Sequence, residues 1–515
     1  MAFVLIGFMG AGKSTVAREL AEAKGGVALD SDALLEERFG HPVAREFELR
    51  GEESFRAAEE ELVCALLGDA GRDDVIALGG GSVASERVRA ALARHLVVLL
   101  DVDPMLAWER VRAAADGAER PLAGDRGAFL ELHAERRGLY EELADAVLPQ
   151  LPIGGSPRAL AALRGLAGGP PGTRLLWARA ASGDYPVFIA RGLLGRSQLQ
   201  RIWASPGAAS RSFCVSDETV AALHADRLGE MAATITIPPG EQHKTLASAQ
   251  RVWQELVAAG MTRADHVVAL GGGVVGDLAG FCAATYQRGV PVVQIPTTLV
   301  AQVDSAYGGK TGVDLPEAKN YVGAYHQPAA VLVDPDTLST LPATELAAGW
   351  VEVLKTAVIA GGGLWQAVAA GGEVDEQTIF ACVRTKLAVV ATDERDGGRR
   401  QVLNLGHTVG HAIETASGYA RYRHGEAVGL GLLAALRLSG RDDLRAEVRE
   451  LLLARSLPVT LAGVSVDAVL EALARDKKRV GDRVPFVLVK EPGEVMFGCE
   501  VAEEELRAAV AELVR

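Results

Sequence analysis

The sequence predicts an α/β protein of three structural domains: a parallel-sheet domain with helices on both faces, a second α/β domain, and a mostly α-helical C-terminal domain. Three observations carry this. Short runs of consecutive apolar residues alternate with amphipathic helical stretches over residues 1–165 and again over 174–335, the pattern of strands covered on both faces in a parallel sheet. A cluster of breakers, Leu166-Ala-Gly-Gly-Pro-Pro-Gly-Thr173, separates these regions and reads as a linker over 166–173. From 336 to 515 the pattern turns mainly helical. At about 100–200 residues per domain, 515 residues accommodate this division.

Taken in order, Phe3–Ile6, Val75–Leu78 and Leu96–Leu100 are the expected strands of the first domain, with amphipathic helices at Ser14–Ala23 and Ser54–Leu67 between them. In the second domain Val187–Ala190, Ser212–Val215, Thr234–Ile237, Val267–Leu270 and Val292–Ile295 are strand candidates. The helical region has one late strand, Pro485–Val489. The 58 glycines cluster after apolar runs, where strand-to-helix turns need them.

Charge and cysteine content narrow the function classes. Net charge is −14 and no long basic run occurs, which argues against a nucleic-acid partner. Local Lys and Arg clusters still admit anionic substrates. Cys64, Cys214, Cys282, Cys382 and Cys499 lie far apart without a C-x-x-C pair. That speaks against a disulfide framework or thiolate zinc site and for a reducing cytoplasm. The apolar start lacks a basic flank and reads as a buried strand, not a signal peptide. No apolar run reaches the ~20 residues of a membrane span.

The first chemical motif is Gly7-Phe-Met-Gly-Ala-Gly-Lys-Ser-Thr15, a G-x-x-x-x-G-K-[ST] loop after a strand and before a helix. Gly10, Ala11 and Gly12 turn backbone N–H groups toward phosphates, Lys13 neutralises their oxygens, and Ser14 offers a hydroxyl to Mg²⁺, with Thr15 beside it. A Gly-rich turn that binds nothing is the competing reading; the full motif in its required context weighs against it. Asp30 and Asp32 follow an apolar stretch, where a strand end faces a site. Arg56, the Gly79-Gly80-Gly81 loop and Arg120, in a Gly- and Asp-rich segment, follow. Each is weak alone, since a lone Arg is usually a surface charge.

In this order they resemble shikimate kinase across nearly all of residues 1–165. The resemblance implies ATP with Mg²⁺. It places Asp32 on the shikimate hydroxyls as base and Asp30 near Mg²⁺ through water. It puts Arg56 and Arg136 on the carboxylate, Gly79–Gly81 against the substrate, and Arg120 on a lid at the transferring phosphoryl group. Ala17 stands where many members carry Gly. Two guanidinium forks suit a carboxylate and one Asp suits a vicinal diol.

The second constellation is Asn404-Leu-Gly-His407-Thr-Val-Gly-His411-Ala-Ile-Glu414, then His424-Gly-Glu426, with Glu352 and Lys355 upstream. His407 and His411 are i and i+4 on one helix face. Three of the chain's 10 histidines fall within these 18 positions, and one Glu plus two His is a sensible catalytic Zn²⁺ set. Satisfied core histidines are the alternative. Ahead of them Leu270-Gly-Gly-Gly-Val-Val-Gly-Asp277 follows a strand and opens a helix, as a phosphate cradle does, without being a clean G-x-G-x-x-G. Glu241 and Lys244, Thr297 and Thr298, Asp304, Lys310, Lys319 and Asn320 lie in further motifs that could line the same cleft. Arg288, Lys355, Lys386, Arg400 and Lys477 add cations suited to a substrate phosphate and carboxylate.

This set resembles 3-dehydroquinate synthase over about residues 174–515, with at least six motifs in family order. The resemblance implies Glu352, His407 and His424 as ligands of Zn²⁺ or Co²⁺, and His411 as a proton-handling, phosphate-contacting residue. Asp217, Glu241, Lys244, Gly272, Gly273, Asp277, Thr297 and Thr298 hold NAD⁺, with Asp304, Lys310, Lys319 and Asn320 beside it. Asp304, Lys310, Asn320, Lys355, Lys386, Arg400, Asn404, His411 and Lys477 surround the substrate, 3-deoxy-D-arabino-heptulosonate 7-phosphate. The same resemblance implies that Arg288 reaches the phosphate across a dimer interface. It also implies the chemistry: transient oxidation at C5 by NAD⁺ acidifies the neighbouring C–H, phosphate leaves, and an aldol step closes the ring. Thr219 stands where Asn is expected and Asp396 where Glu is common. The rivals are another sugar-phosphate cyclase of the valiolone type, a metal-dependent polyol dehydrogenase, and a fusion in which one half is only a scaffold.

Overall fold

The computed structural model describes residues 1–114, 125–149, 157–195, 210–316, 318–419, 421–474 and 484–514. Among them the chain forms two compact units. Met1–Ala178 with Pro186–Phe188 make the first; Arg179–Tyr185 and the residues from Ile189 onward make the second.

The first unit is built on Phe3–Ile6 (β1), Ala28–Asp30 (β2), Val75–Ala77 (β3), Leu96–Asp101 (β4), Ala146–Pro149 (β5) and the start of Arg174–Ala180 (β6). Their order is β2-β3-β1-β4-β5-β6, every pair parallel. β1, with no polar residue in FVLI, is buried along its whole length. It has β3 on one side and β4 on the other, so its C-terminal end opens at the point where the strand order reverses, the usual place for a ligand. The helix expected at Ser54–Leu67 is longer. It runs Val43–Asp69 and breaks only at Gly51, whose φ of 77° is not helical.

Gly183–Ile189 (β7) follows in the chain. The sheet of the second unit contains Ser212–Asp217 (β8), Ala233–Ile237 (β9), His266–Gly271 (β10), Val292–Pro296 (β11) and, beyond the hairpin of Lys310–Leu315 (β12) and Ala318–Tyr325 (β13), Ala330–Val333 (β14). The order is β14-β11-β10-β8-β9, again all parallel. Its core packs Phe213, Val215, Ile235, Val267 and Leu278. β12 and β13 pair antiparallel. The sequence hides them because Gly312, Gly323 and the polar stretch between break any alternation; the backbones approach so closely that a Cβ on Gly323 would lie 2.2 Å from Thr311 O.

The C-terminal part is helical, as its pattern predicts, except that the late strand is one arm of an antiparallel hairpin, Phe486–Glu491 (β15) with Glu494–Cys499 (β16). The helix Ala343–Ala360 is mostly apolar and is buried from Ala348 to Ile359 with Glu352 and Lys355 inside that stretch, as a central helix is. Helices His407–Ala416 and His424–Leu438 pack beside it through glycines. A Cβ on Gly425 would meet Ala348 O at 1.8 Å, and one on Gly431 would meet Gly406 O at 2.0 Å. No larger residue permits that approach, and the approach brings three distant sequence segments to one point.

Candidate active sites

In the first unit the loop after β1 turns through Gly10 and Gly12, at φ 78° and 87°. A Cβ on Gly10 would lie 2.6 Å from Ala107 O, so the loop has no room for one. The helix Lys13–Lys24 starts there with no side-chain cap, leaving its first N–H groups to an anion. Lys13 Nζ donates to Gly7 O at 2.8 Å and Phe8 O at 3.2 Å, folded over the loop where Ser14 and Thr15 open the helix. Burial holds its pKa below the ordinary lysine range, against the pull of Asp32 and Asp30.

Asp30 caps the helix Ser31–Phe39, accepting from the N–H groups of Asp32 and Ala33. That cap points Asp32 into the cleft. Asp32 is solvent-accessible, yet the enclosing protein desolvates its carboxylate and, with Asp30 and Glu59, pushes its pKa up to about 6 against Lys13. Gly79 is beside it: a Cβ there would lie 2.5 Å from Asp32 Oδ1. Arg56 bonds Glu59 at 2.7 Å, and Glu59 is buried and also accepts from Ser82 Oγ at 2.7 Å. Arg136 Nη1 and Tyr140 Oη both donate to Gly80 O, at 3.3 and 2.5 Å, so Gly80 and Gly81 form a wall between the two arginines. Arg120 lies outside the described residues.

In the second unit Gly272 starts the helix Gly273–Thr285 at the C-terminal end of β10. A Cβ on Gly272 would lie 2.8 Å from Thr298 Cγ2, so the helix N-terminus is bare for a ligand. Thr297 N donates to Gly271 O at 3.0 Å, and its hydroxyl is buried without a hydrogen-bond partner. Asp217 ends β8 beside this point and caps Glu218–His224. Thr219 is in that helix's first turn. Lys244 Nζ joins Glu241 at 2.8 Å, Asp277 at 3.3 Å and Asn320 Oδ1 at 2.8 Å. Burial opposes its charge, but Asp277 and Glu241 hold its pKa above the lysine norm. Burial pushes Asp277 up to about 6 despite Lys244.

The deepest charges sit on the helix Ala343–Ala360. Glu352 and Lys355 are 0% and 1% exposed, with Lys355 Nζ 2.6 Å from Glu352 Oε2. Glu352 Oε1 lies 3.5 Å from Nε2 of both His407 and His424 and has no hydrogen-bond partner. Burial would raise the Glu352 pKa, but Lys355, His407 and His424 hold it well below the carboxylate range. One ligand atom from each of Glu352, His407 and His424 falls within 4.8 Å of the others, so one ion at ordinary bond lengths of about 2.0–2.2 Å can satisfy all three. His411 is beside them, its ring 5.2 Å from that of His407.

Asp304 lies in a single π-helical turn, Ala301–Ser305, between Lys386 at 2.7 Å and Lys355 at 3.9 Å. Burial brings Lys386 down to about 8, against Asp304. Arg400 is buried and donates to Gly308 O at 3.0 Å and to Glu394 O. Lys310 pairs with Asp396 at 2.5 Å, the Asp reaching despite its shorter chain. Lys319 reaches Glu414 at 3.6 Å. Asn404 ends the turn that precedes His407.

None of the contacts given above for this cluster involves Arg288. It is exposed, at φ 69°, just past the C-terminal end of Gly273–Thr285, about 20 Å from Gly272 at 1.5 Å per residue. Lys477 lies outside the described residues. Sequence reasoning missed Glu59 and Asp314. Glu59 is i+3 from Arg56, a spacing that signals a pair. Asp314 accepts from Asn320 N at 2.8 Å and lies 3.7 Å from Lys244. It also missed Arg110, which donates to Gly10 O at 3.2 Å, and the brace that holds Glu394. That carboxylate accepts from Ser182 N at 2.9 Å and Gln327 Nε2 at 2.8 Å. Ser182 and Glu394 are 212 positions apart, and no local pattern links them.

Comparison with known proteins is consistent across both units. The shikimate kinase family model matches residues 9–151. The models for 3-dehydroquinate synthase, N-terminal and C-terminal, match 234–348 and 349–479. A 3-dehydroquinate synthase of Halorhodospira halophila is 41% identical over 358 residues, 66% of this chain and 100% of the relative. One from Methylococcus capsulatus is 44% identical over 345 residues, 63% of this chain and 95% of the relative. Among solved structures, 2-epi-5-epi-valiolone synthase from Streptomyces hygroscopicus subsp. jinggangensis, with NAD⁺ and Zn²⁺ bound, superposes with TM-score 0.58 at 26% identity, covering 65% of this chain and 98% of that one. A 2-deoxy-scyllo-inosose synthase shares the fold at TM-score 0.58 and 23% identity, over 66% of this chain and 99% of that one.

Proposed function

The chain belongs to the 3-dehydroquinate synthase family, with a shikimate kinase domain fused ahead of it, and from that premise we propose how its residues divide two reactions. The protein is a bifunctional enzyme of the shikimate pathway: it phosphorylates shikimate with ATP and converts 3-deoxy-D-arabino-heptulosonate 7-phosphate to 3-dehydroquinate and phosphate. The named relatives at 41% and 44% identity outweigh a valiolone-type reading, whose solved representative stands at 26%. The domain division at 166–173 stays our reading of the sequence.

In the kinase unit Lys13 and the bare helix N-terminus hold the ATP phosphates, and Ser14 and Asp30 would hold the Mg²⁺ that neutralises them. Arg56, fixed by Glu59, and Arg136 take the shikimate carboxylate from either side of the Gly79–Gly81 loop. Asp32 faces the hydroxyl that is phosphorylated and accepts its proton. The base must be ionised. A carboxyl lifted to about 6 is protonated below that pH and free above it. Kinase kcat/KM is therefore expected to rise through about pH 6 and level off by pH 7. An Asp32→Asn variant is expected to lose about 10²–10⁴-fold in kcat and the inflection with it. A wild-type profile flat from pH 5 to 8 refutes the assignment.

In the synthase unit the observation that carries the reading is Glu352 Oε1, buried, unpartnered and facing two imidazole nitrogens. This donor set fits Zn²⁺ or Co²⁺, and the bare helix N-terminus at Gly272 fits the pyrophosphate of NAD⁺. When bound, these groups supply a Lewis acid at the substrate alcohol and a reversible hydride acceptor. The chain does the rest. Lys355, Lys386, Arg400, Asn404 and Lys310 bind the anionic substrate, Asp304 spaces the two buried lysines, and His411 moves protons at the phosphate-bearing end. Arg288 is exposed at the end of the helix opposite Gly272, and a homodimer in which Arg288 of the partner subunit completes the phosphate pocket is part of the reading. Five free cysteines favour the cytoplasm. Among the described residues no helix is long and apolar enough to cross a membrane.

The test is product identification. Given the heptulosonate phosphate alone, the chain should yield 3-dehydroquinate by mass spectrometry; a valiolone-type product has a different mass and overturns the reading. Chelation followed by Mg²⁺ resupply should silence only this reaction, with shikimate phosphorylation restored in full. Cyclisation that persists in metal-free protein removes the metal assignment.

A further inference from the structure

Of the titratable motif residues on the helix His407–Ala416, His407 and His411 have a place in this site and Glu414 has none. It is buried, 4% exposed, and has two contacts that tie separate elements together. Its Oε2 lies 3.4 Å from Nδ1 of His424. Its Oε1 lies 3.6 Å from Nζ of Lys319 on β13, and that ammonium also sits 4.3 Å from the Tyr419 ring and 3.9 Å from Glu241.

An imidazole has two nitrogens with opposite duties. In the neutral ring that a metal ligand must be, an Nδ1 that carries the hydrogen and donates it to a carboxylate leaves Nε2 to present its lone pair. On His424 that second nitrogen faces Glu352 Oε1 at 3.5 Å. We propose that Glu414 is a positioning residue for the metal: it fixes the tautomer and ring orientation of His424, while Lys319 holds Glu414 in place from the cofactor side. The proposal rests on Glu352, His407 and His424 being the ligand set. Outer-sphere carboxylates of this kind raise the basicity of the imidazole and keep its ring from turning.

A competing arrangement uses the same atoms. His411, Glu414 and His424 also bring one ligand atom each within 4.8 Å of the others, as a second cation site would. Lys319 argues against it, because a metal ion there shares one carboxylate with an ammonium 3.6 Å away.

The experiment is Co²⁺ titration of the full-length, metal-free chain against a competing chelator, followed by visible absorption, with melting of the metal-free protein read in parallel. Wild type should bind one Co²⁺. Glu414→Gln, nearly isosteric, should bind it about 10–100-fold more weakly, with an altered Co²⁺ spectrum and little change in metal-free melting. Lys319→Met should weaken it less and in the same direction. Glu352→Gln should lose it further than either. Unchanged affinity in Glu414→Gln beside loss in Glu352→Gln overturns the proposal and keeps the ligand set. Unchanged affinity in both overturns the ligand set itself. A second Co²⁺ in wild type that vanishes in Glu414→Gln overturns the positioning role for a second cation site. A fall in metal-free melting with Co²⁺ affinity intact makes Glu414 a packing residue and overturns it too.

Discussion

Replacing Lys13 with Ala is expected to lower shikimate phosphorylation by about 10²–10³-fold or more, and to leave phosphate release from the heptulosonate phosphate within about twofold. The first figure follows from what Lys13 supplies. It is a charge held over the phosphate loop, and removing one preorganised donor from developing transition-state charge costs about that factor. The fold loses little. Among the described residues Lys13 Nζ donates to Gly7 O and Phe8 O, each bond worth about 0.5–1.5 kcal/mol net, and burial already disfavours its ammonium. So kcat and the ATP KM should change while melting moves by a few degrees at most. The second figure follows from separation of the two residue sets: no residue assigned to one reaction serves the other. Coupled assays on the same preparation decide it. Loss of both activities in a folded Lys13→Ala chain refutes their independence.

The two sites differ in how far the sequence alone reveals them. The phosphate loop is written in nine consecutive residues, because strand, turn and helix N-terminus are adjacent in the chain, and its geometry is a local matter of φ angles at Gly10 and Gly12. The metal set is spread over 73 positions, from Glu352 to His424, and spacing gives only one pair on one helix face, His407 with His411. What assembles it is the packing of Gly425 against Ala348 and Gly431 against Gly406. In the sequence these are merely two more glycines of a glycine-rich chain. The resemblance named the ligands; the close helix approach explains why they meet. The same limit accounts for Asp314 and for the Ser182–Glu394 brace, which are contacts between elements with no shared period. A helix without a polar face that nonetheless contains Glu352 and Lys355 was the one long-range signal within reach. A buried acid and base in such a helix must be paired, and they are.

That pairing makes Glu352→Gln the second large effect, with two parts that separate. The amide keeps the shape of Glu352 and removes its charge. Cyclisation should fall by more than the roughly 10–100-fold of an outer-sphere change, because a direct ligand is lost, while shikimate phosphorylation persists. Stability should fall as well. Among the described residues Lys355, 1% exposed, then keeps the single carboxylate of Asp304, 3.9 Å away, and stranding one partner of a buried pair costs roughly 3–5 kcal/mol. In the wild type Glu352 and Asp304 outweigh burial and hold the Lys355 pKa above the lysine norm. Without Glu352 burial dominates and the folded-state pKa drops below the unfolded one. The unfolded chain then binds the extra proton, so the stability deficit shrinks as pH rises toward the ordinary lysine range. The double variant Glu352→Gln/Lys355→Met should regain most of the lost melting temperature, since neither buried charge remains, and none of the cyclase activity. Melting curves from pH 6 to 10 with parallel assays of both reactions measure this. If the double variant melts no higher than the single one, the ion pair is not what the helix loses; if either variant cyclises at the wild-type rate, Glu352 does not hold the metal.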